Sequence, residues 1–190
     1  MLILASQSPR RKELLEKLHI PFTVRVADID EDMDAAAPTE EEVARVSREK
    51  ALAIPRDPED VVIAADTIVV LRDKVLGKPH SPEEAVRMLT DLSGRDHQVM
   101  TGVTVLCGER LLSHTEVTDI HFRDLTEKEI ARYVASGEPM DKAGSYGIQG
   151  GAALFVERMH GDYYNVMGLP VCRLWQMLGQ VAPHILEETL

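Results

Sequence analysis

At 190 residues, with 44% hydrophobic and 28% charged side chains, the chain is long enough for one domain or two small lobes with a real core. Its 21 lysines and arginines against 32 aspartates and glutamates give a formal net charge of −11, which makes it a poor candidate for tracking along a nucleic-acid backbone, a task for a basic stripe. No apolar run nears the roughly 18 residues of a membrane span, and neither the two cysteines nor the seven scattered histidines show metal-ligand spacing. Cys107 and Cys172, in apolar settings, read as buried free thiols of a reducing cytoplasm. The first residue stands one step from a strand, so no signal peptide is expected and a cytoplasmic location is.

Residues 2–5 form a short apolar run, read as a buried strand. Ser8 stands where a helix N-cap belongs, and Pro9 takes the first helical position, where its missing N–H costs nothing. Leu14, Leu15 and Leu18 give that helix an apolar stripe. Arg10 and Arg11 sit in its first turn, where the helix dipole makes a cation unfavourable by about 0.3–1 kcal/mol. A Ser6-Gln7-Ser8 turn, free backbone N–H groups and two arginines fit together if an anion such as polyphosphate docks there. The alternative is that both arginines point into solvent or pair with surface acids.

Residues 22–26 read as a second strand running into the acidic segment Asp28-Ile29-Asp30-Glu31-Asp32, either an extension of that strand or a solvated loop. Thr39 with Glu42 three residues later has the form of a capping box. The helix that follows carries Val43, Val46, Lys50 and Ala51 and stops before Pro55. Lys50 lies on or near its inward face, either snorkelling past the core edge or reaching into a site. Residues 61–71 are the most apolar stretch, a central strand interrupted by Asp66 and Thr67. A buried Asp costs several kcal/mol unless it is paired or metal-bound, so Asp66 faces a cleft or joins a satisfied polar cluster. A hairpin through Arg72-Asp73-Lys74 leads to a return strand that ends at Gly77-Lys78-Pro79.

Ser81-Pro82 opens the next helix, with Val86, Leu89 and Leu92 expected to face the core. Residues 97–106 and 111–122 read as a long strand pair, and residues 126–136 as a capped helix closed by Gly137. Residues 140–151 hold four glycines, an Asp-Lys pair and Gln149, the makings of a ligand-contacting loop or else of a surface turn. A last strand over 152–158, a turn at 161–165 and a closing helix through Leu174 and Leu178 complete the chain.

The candidate site groups are therefore the cations Arg10, Arg11, Lys50 and Lys78, the acids Glu31, Asp66 and Asp30, and the neutral Ser6, Ser8, Thr67 and Gln149. That inventory suits metal-assisted hydrolysis of a phosphoanhydride: cations neutralise polyphosphate, and carboxylates hold a divalent ion and orient water. An ordinary Asp is a weak base at neutral pH, and a divalent ion that lowers the pKa of water removes that difficulty. No thiol or Ser-His-Asp arrangement points to a covalent route.

The segments Leu4-Ala5-Ser6-Gln7-Ser8-Pro9-Arg10-Arg11, Ala65-Asp66-Thr67, Gly77-Lys78-Pro79, Met140 through Gly150, Gly161-Asp162-Tyr163-Tyr164 and Gly168-Leu169-Pro170 make the chain resemble the Maf-type nucleoside triphosphate pyrophosphatases. The resemblance runs nearly end to end, in order. It implies a single domain over 1–190, an α/β fold around a long mixed central β-sheet flanked by helices, and two lobes with a cleft between them, as in inosine triphosphatase-like proteins. It also implies hydrolysis of a nucleoside triphosphate to monophosphate and pyrophosphate with Mg2+ or Mn2+, Asp66 as catalytic base, and Glu31 and Lys50 as activity-linked positions. The acidic stretch aligns loosely, so Asp30 stays beside Glu31 as the second acid. Asp66 and Glu31 are then the metal ligands, and Ser6, Ser8, Arg10, Arg11, Thr67, Lys78 and Gln149 the substrate contacts. Arg10, Thr67 and Gln149 match the subgroup acting on dTTP and UTP. Gln suits a pyrimidine edge because its amide both donates and accepts.

The family is also associated with septum formation and with clearing non-standard nucleotides, which these residues do not derive. Expected partners are a nucleoside triphosphate, with no nucleic acid and no membrane; a homodimer stays open. Two rival readings are a nucleotidyltransferase, whose turn would be richer in glycine, and a division-linked nucleotide sensor with little turnover.

Overall fold

In the computed structural model, which describes residues 1–26 and 28–187, the apolar runs become strands of one mixed sheet and the amphipathic runs become helices. Among the described residues that sheet has seven strands: β1 (Leu2–Leu4), β2 (Phe22–Val24), β3 (Val61–Leu71), β4 (Lys74–Leu76), β5 (Asp96–Cys107), β6 (Arg110–Phe122) and β7 (Val156–His160). Their order is β2-β1-β3-β5-β6-β7, with β4 paired to β3. The helices are α1 (Pro9–Glu16), α2 (Thr39–Leu52), α3 (Pro82–Leu92), α4 (Glu127–Ala135), α5 (Tyr163–Met167) and α6 (Val171–Val181). The chain divides into two compact units, Met1–Asp66 with Thr101–Glu116 and Gly168–Leu190, and Thr67–Met100 with Val117–Met167. Strands β3, β5 and β6 each run from one unit into the other.

In the first unit β1 lies between two parallel neighbours, Leu2 opposite Phe22 on one side and Val61 on the other. A strand paired on both edges and covered on both faces must be apolar throughout, as Leu2-Ile3-Leu4 is. α1 starts as expected, with Ser8 as N-cap and Pro9 in the first turn. α2 buries Val43, Val46, Ser47 and Ala51, and its backbone comes very close to Gly102 on β5: a Cβ there would lie 2.2 Å from the Val43 carbonyl oxygen. The Ser47 and Thr104 hydroxyls, 2.7 Å apart, satisfy each other in that contact.

The expected capping box at Thr39 is not formed. Pro38 is the N-cap, and Glu42 is turned to other partners described below. The second strand ends at Val24, so the acidic segment does not continue it. Both cysteines are free thiols, but Cys172 is exposed and Cys107 half-buried, which corrects the expectation of two buried ones.

In the second unit β3 and β4 form a tight antiparallel hairpin, with Arg72 at a left-handed φ of 56°. Ser81 caps α3, and a capping box joins Thr126 and Glu129 at the start of α4. The core gathers Val69, Leu89, Leu92, Phe122, Tyr133, Tyr146 and Phe155. Ala85, Met88, Leu89 and Leu92 are the inward face of α3, while Val86 is exposed. Residues 151–154 form a 3-10 turn instead of opening the last strand, which begins at Val156. A short helix over residues 163–167 overlaps the turn expected at 161–165.

Candidate active site

The polar groups of the first unit collect at the end of β1 and beside Asp66. Asp66 is the sixth residue of β3, 9% exposed in a strand filled, apart from it and Thr67, by aliphatic side chains. Its buried charge is met by Lys50, whose Nζ donates to Asp66 Oδ1 at 2.7 Å. The same ammonium stands 3.0 Å from Glu31 Oε1. One cation thus bridges two carboxylates, which lie within about 6 Å of each other. Lys50 therefore does not simply snorkel past the core edge: its ammonium ends on Asp66 and Glu31. Glu31 is the acid brought to Lys50, while Asp30 accepts the Asp32 N–H within the loop.

Arg11 is held from the loop side. Its Nε donates to the Gly168 carbonyl at 2.8 Å and its Nη1 to Ser6 Oγ at 3.2 Å. Ser6 Oγ also accepts the Ser8 N–H, and Ser8 Oγ accepts the Arg11 N–H as the helix cap. The Ser-x-Ser turn is therefore a scaffold that fixes one arginine at the N-terminus of α1. Gly168, at φ 111°, has a backbone conformation that a side chain would disfavour, and its carbonyl is aimed at that guanidinium. Burial pulls the Arg11 pKa below its ordinary value, the charge of Asp66 opposes this, Arg10 adds to it and Glu31 opposes it. Arg10, Arg11, Glu31 and Asp66 consequently share one electrostatic environment.

The loop bearing Glu31 is tied to α2 by Arg45, which the sequence did not single out, and by Glu42, which it offered only as part of a helix cap. Arg45 donates from Nη2 to the Asp32 carbonyl at 2.7 Å and grips Glu42 through Nε and Nη2, and Glu49 through Nη1. Glu42 in turn accepts the Asp34 N–H at 2.8 Å. The hydrogen bond from Arg45 holds the Glu42 carboxyl below the usual range, and the Asp34 N–H adds to this. Arg45 stands three residues after Glu42 and four before Glu49, the spacings of a helical charge network and the one signal from which the clamp was readable.

In the second unit Thr67 follows Asp66 on β3, Lys78 is exposed just after β4, and Gln149 is exposed in the glycine-rich segment. The Gly144 N–H donates to the Gly77 carbonyl at 3.0 Å, which joins the Lys78 segment to the one carrying Gln149. The Gly147 carbonyl accepts the Gly150 N–H, so Ile148 and Gln149 are the central residues of a closed turn.

Two carboxylates joined to one cation can also serve a divalent ion. Among the described residues no group of three or more His, Cys, Asp and Glu side chains forms a metal cage. A magnesium-type ion held by one or two carboxylates, substrate phosphates and water needs no cage, so Glu31 and Asp66 fit it. No helix among the described residues is long and apolar enough to cross a membrane.

A family model described as Maf-like protein matches residues 1–181. The dTTP/UTP pyrophosphatase of Geobacillus sp. (strain WCH70) is 51% identical over 173 residues, 90% of this chain and 93% of that one. The dTTP/UTP pyrophosphatase of Bacillus cereus (strain B4264) is 47% identical over 180 residues, 94% of each chain. Among solved structures, the Staphylococcus aureus Ham1 protein superposes with a TM-score of 0.50 at 15% identity, covering 94% of this chain and 98% of that one, a likeness of fold.

Proposed function

The chain belongs to the Maf-like protein family, and from that premise we propose that it is a nucleoside triphosphate pyrophosphatase acting on dTTP and UTP, and on modified pyrimidine nucleotides, through one catalytic domain. The observation that carries the chemistry is the Lys50 ammonium standing between Asp66 and Glu31. Two carboxylates brought to one cation are what a phosphoanhydride hydrolase needs to handle both water and polyphosphate.

In this reading Arg11, preset by Ser6 and Gly168, binds the triphosphate with Arg10, the N-terminus of α1 and Lys50. Glu31 and Asp66 would hold Mg2+ or Mn2+, which when bound neutralises phosphate charge and lowers the pKa of water. Asp66 orients the attacking water and takes its proton. The water oxygen bonds to the α-phosphorus, the bond from that phosphorus to the bridging oxygen breaks, and pyrophosphate leaves. In the second unit Lys78 is assigned to phosphate, and Thr67 and Gln149 to the base, with the Gln149 amide donating to a pyrimidine carbonyl and accepting from N3–H.

The test is incubation with UTP, magnesium and 18O-labelled water, without an added acceptor. UMP and pyrophosphate in equal amounts, with the label in UMP, are expected. Label in pyrophosphate would overturn attack at the α-phosphorus, and tight UTP binding without turnover would favour a nucleotide sensor instead.

A further inference from the structure

The turn that carries Gln149 is anchored on both sides by one acid. Glu138 Oε1 accepts the Tyr133 hydroxyl at 2.9 Å, and Tyr133 Oη accepts the Gly147 N–H at 3.1 Å. Glu138 Oε2 accepts the Gly151 N–H at 3.1 Å. The two backbone groups that flank Ile148, Gln149 and Gly150 are thus fastened to the same carboxylate, one directly and one through a phenol. The Glu138 carbonyl also accepts from Lys142 Nζ at 2.6 Å, closing the segment at its other end. The approach is so close that a Cβ on Gly150 would lie 2.0 Å from Glu138 Oε1, and one on Gly147 would lie 2.6 Å from Lys142 Cε. Gly150 lets the backbone come this close to the acid, and Gly147 leaves room for the Lys142 side chain.

Gln149 is itself exposed, and among the described residues no hydrogen bond to its side chain fixes its direction. Its aim is set by the turn, and the turn by Glu138. We propose that Glu138, relayed by Tyr133, is a positioning residue for base selection: it holds the turn over residues 147–150 so that Gln149 meets a pyrimidine edge, without touching the nucleotide. The inference rests on the assignment of Gln149 to the base.

The experiment measures kcat and KM for UTP, dTTP, ATP and GTP on wild type, Glu138→Gln, Tyr133→Phe and Gln149→Ala, with a thermal melt of each. Glu138→Gln keeps the shape but replaces one acceptor oxygen by a donor, and Tyr133→Phe removes only the relay. Both are expected to lower kcat/KM for UTP and dTTP about tenfold relative to the purine triphosphates, mostly through KM. Adding Gln149→Ala to Glu138→Gln is expected to lower discrimination no further than Gln149→Ala alone, as for residues acting through one another. A loss equal for all four substrates would make Glu138 a structural brace only and overturn the inference. So would unchanged discrimination in a folded Glu138→Gln or Tyr133→Phe while Gln149→Ala loses it; that outcome leaves the Gln149 assignment standing. Unchanged discrimination in Gln149→Ala instead removes that assignment, and the positioning role with it. Should Glu138→Gln fail to fold, Tyr133→Phe decides.

Discussion

Replacing Gly102 by alanine adds a single methyl group where α2 lies against β5. The new Cβ would stand 2.2 Å from the Val43 carbonyl oxygen, 2.6 Å from its carbonyl carbon and 2.9 Å from the Ala44 nitrogen, where ordinary contact begins at 3.4 Å. All three obstacles are backbone atoms, so no rotamer change relieves them. The helix and the strand must separate by about 1 Å. Overpacking of this kind costs about 1–3 kcal/mol, which for a chain of this length lowers Tm by roughly 2–12 °C. The same helix carries Lys50, whose 2.7 Å bond to Asp66 depends on its seat. A misplacement of about 1 Å at reacting groups can cost up to roughly 100-fold in rate, so kcat for UTP is expected to fall 10- to 100-fold. The assays are a thermal melt and pyrophosphate release, with Gly77→Ala as the stability control, because a Cβ there meets nothing within 4 Å. A Gly102→Ala protein that melts with wild type and hydrolyses UTP at the wild-type rate would refute the argument.

Asp66→Asn should abolish pyrophosphate release while equilibrium binding of UTP persists; wild-type turnover in this variant would remove the assigned chemistry. Ser6→Ala deletes the acceptor shared by Arg11 Nη1 and the Ser8 N–H. A hydrogen bond to a charged group is worth about 1.5–3 kcal/mol, so kcat/KM should fall about 10- to 100-fold, and a change below twofold would count against the scaffold. His97 is buried edge-on to Phe122 and bonded to the Tyr146 hydroxyl at 2.9 Å. Burial pulls its pKa down to about 4 from 6.5, so between those values the unfolded chain binds the extra proton. Its contribution is complete above pH 6.5 and declines by about 3 kcal/mol as pH falls to 4. Denaturant titrations across that range should show the loss in wild type and a smaller one in His97→Gln; parallel pH profiles would exclude His97 as the cause.

The local devices are legible in the sequence and the long-range ones are not. The Ser8 cap with Pro9, the strand around Asp66, the Ser81-Pro82 helix start and the Thr126–Glu129 box follow from residues only a few positions apart, and they form as read. The failures share a cause. Thr39 and Glu42 had the spacing of a capping box, but Arg45 and the Asp34 N–H offer Glu42 stronger, charge-assisted partners. Residues 152–154 looked apolar enough for a strand, yet the chain there coils so that Ala152 and Phe155 enter the core while Leu154 stays exposed. Glu138 gave no signal at all, since its partners are backbone N–H groups and a tyrosine hydroxyl placed by the fold.

What the order of residues determined by itself is which segments become strands and helices, and which polar groups stand in apolar surroundings where their charge needs a partner. Periodicity, caps and breakers act over one or two turns, and they are written in the chain. Which cation answers Asp66 was left to the tertiary structure. Lys50 lies on one element and Asp66 on another, and their bond exists because Gly102 lets α2 settle onto the sheet while β1 and β3 pair in parallel. Coulomb attraction falls with distance and with solvent screening, so charges far apart along the chain are coupled only once packing has closed the gap between them.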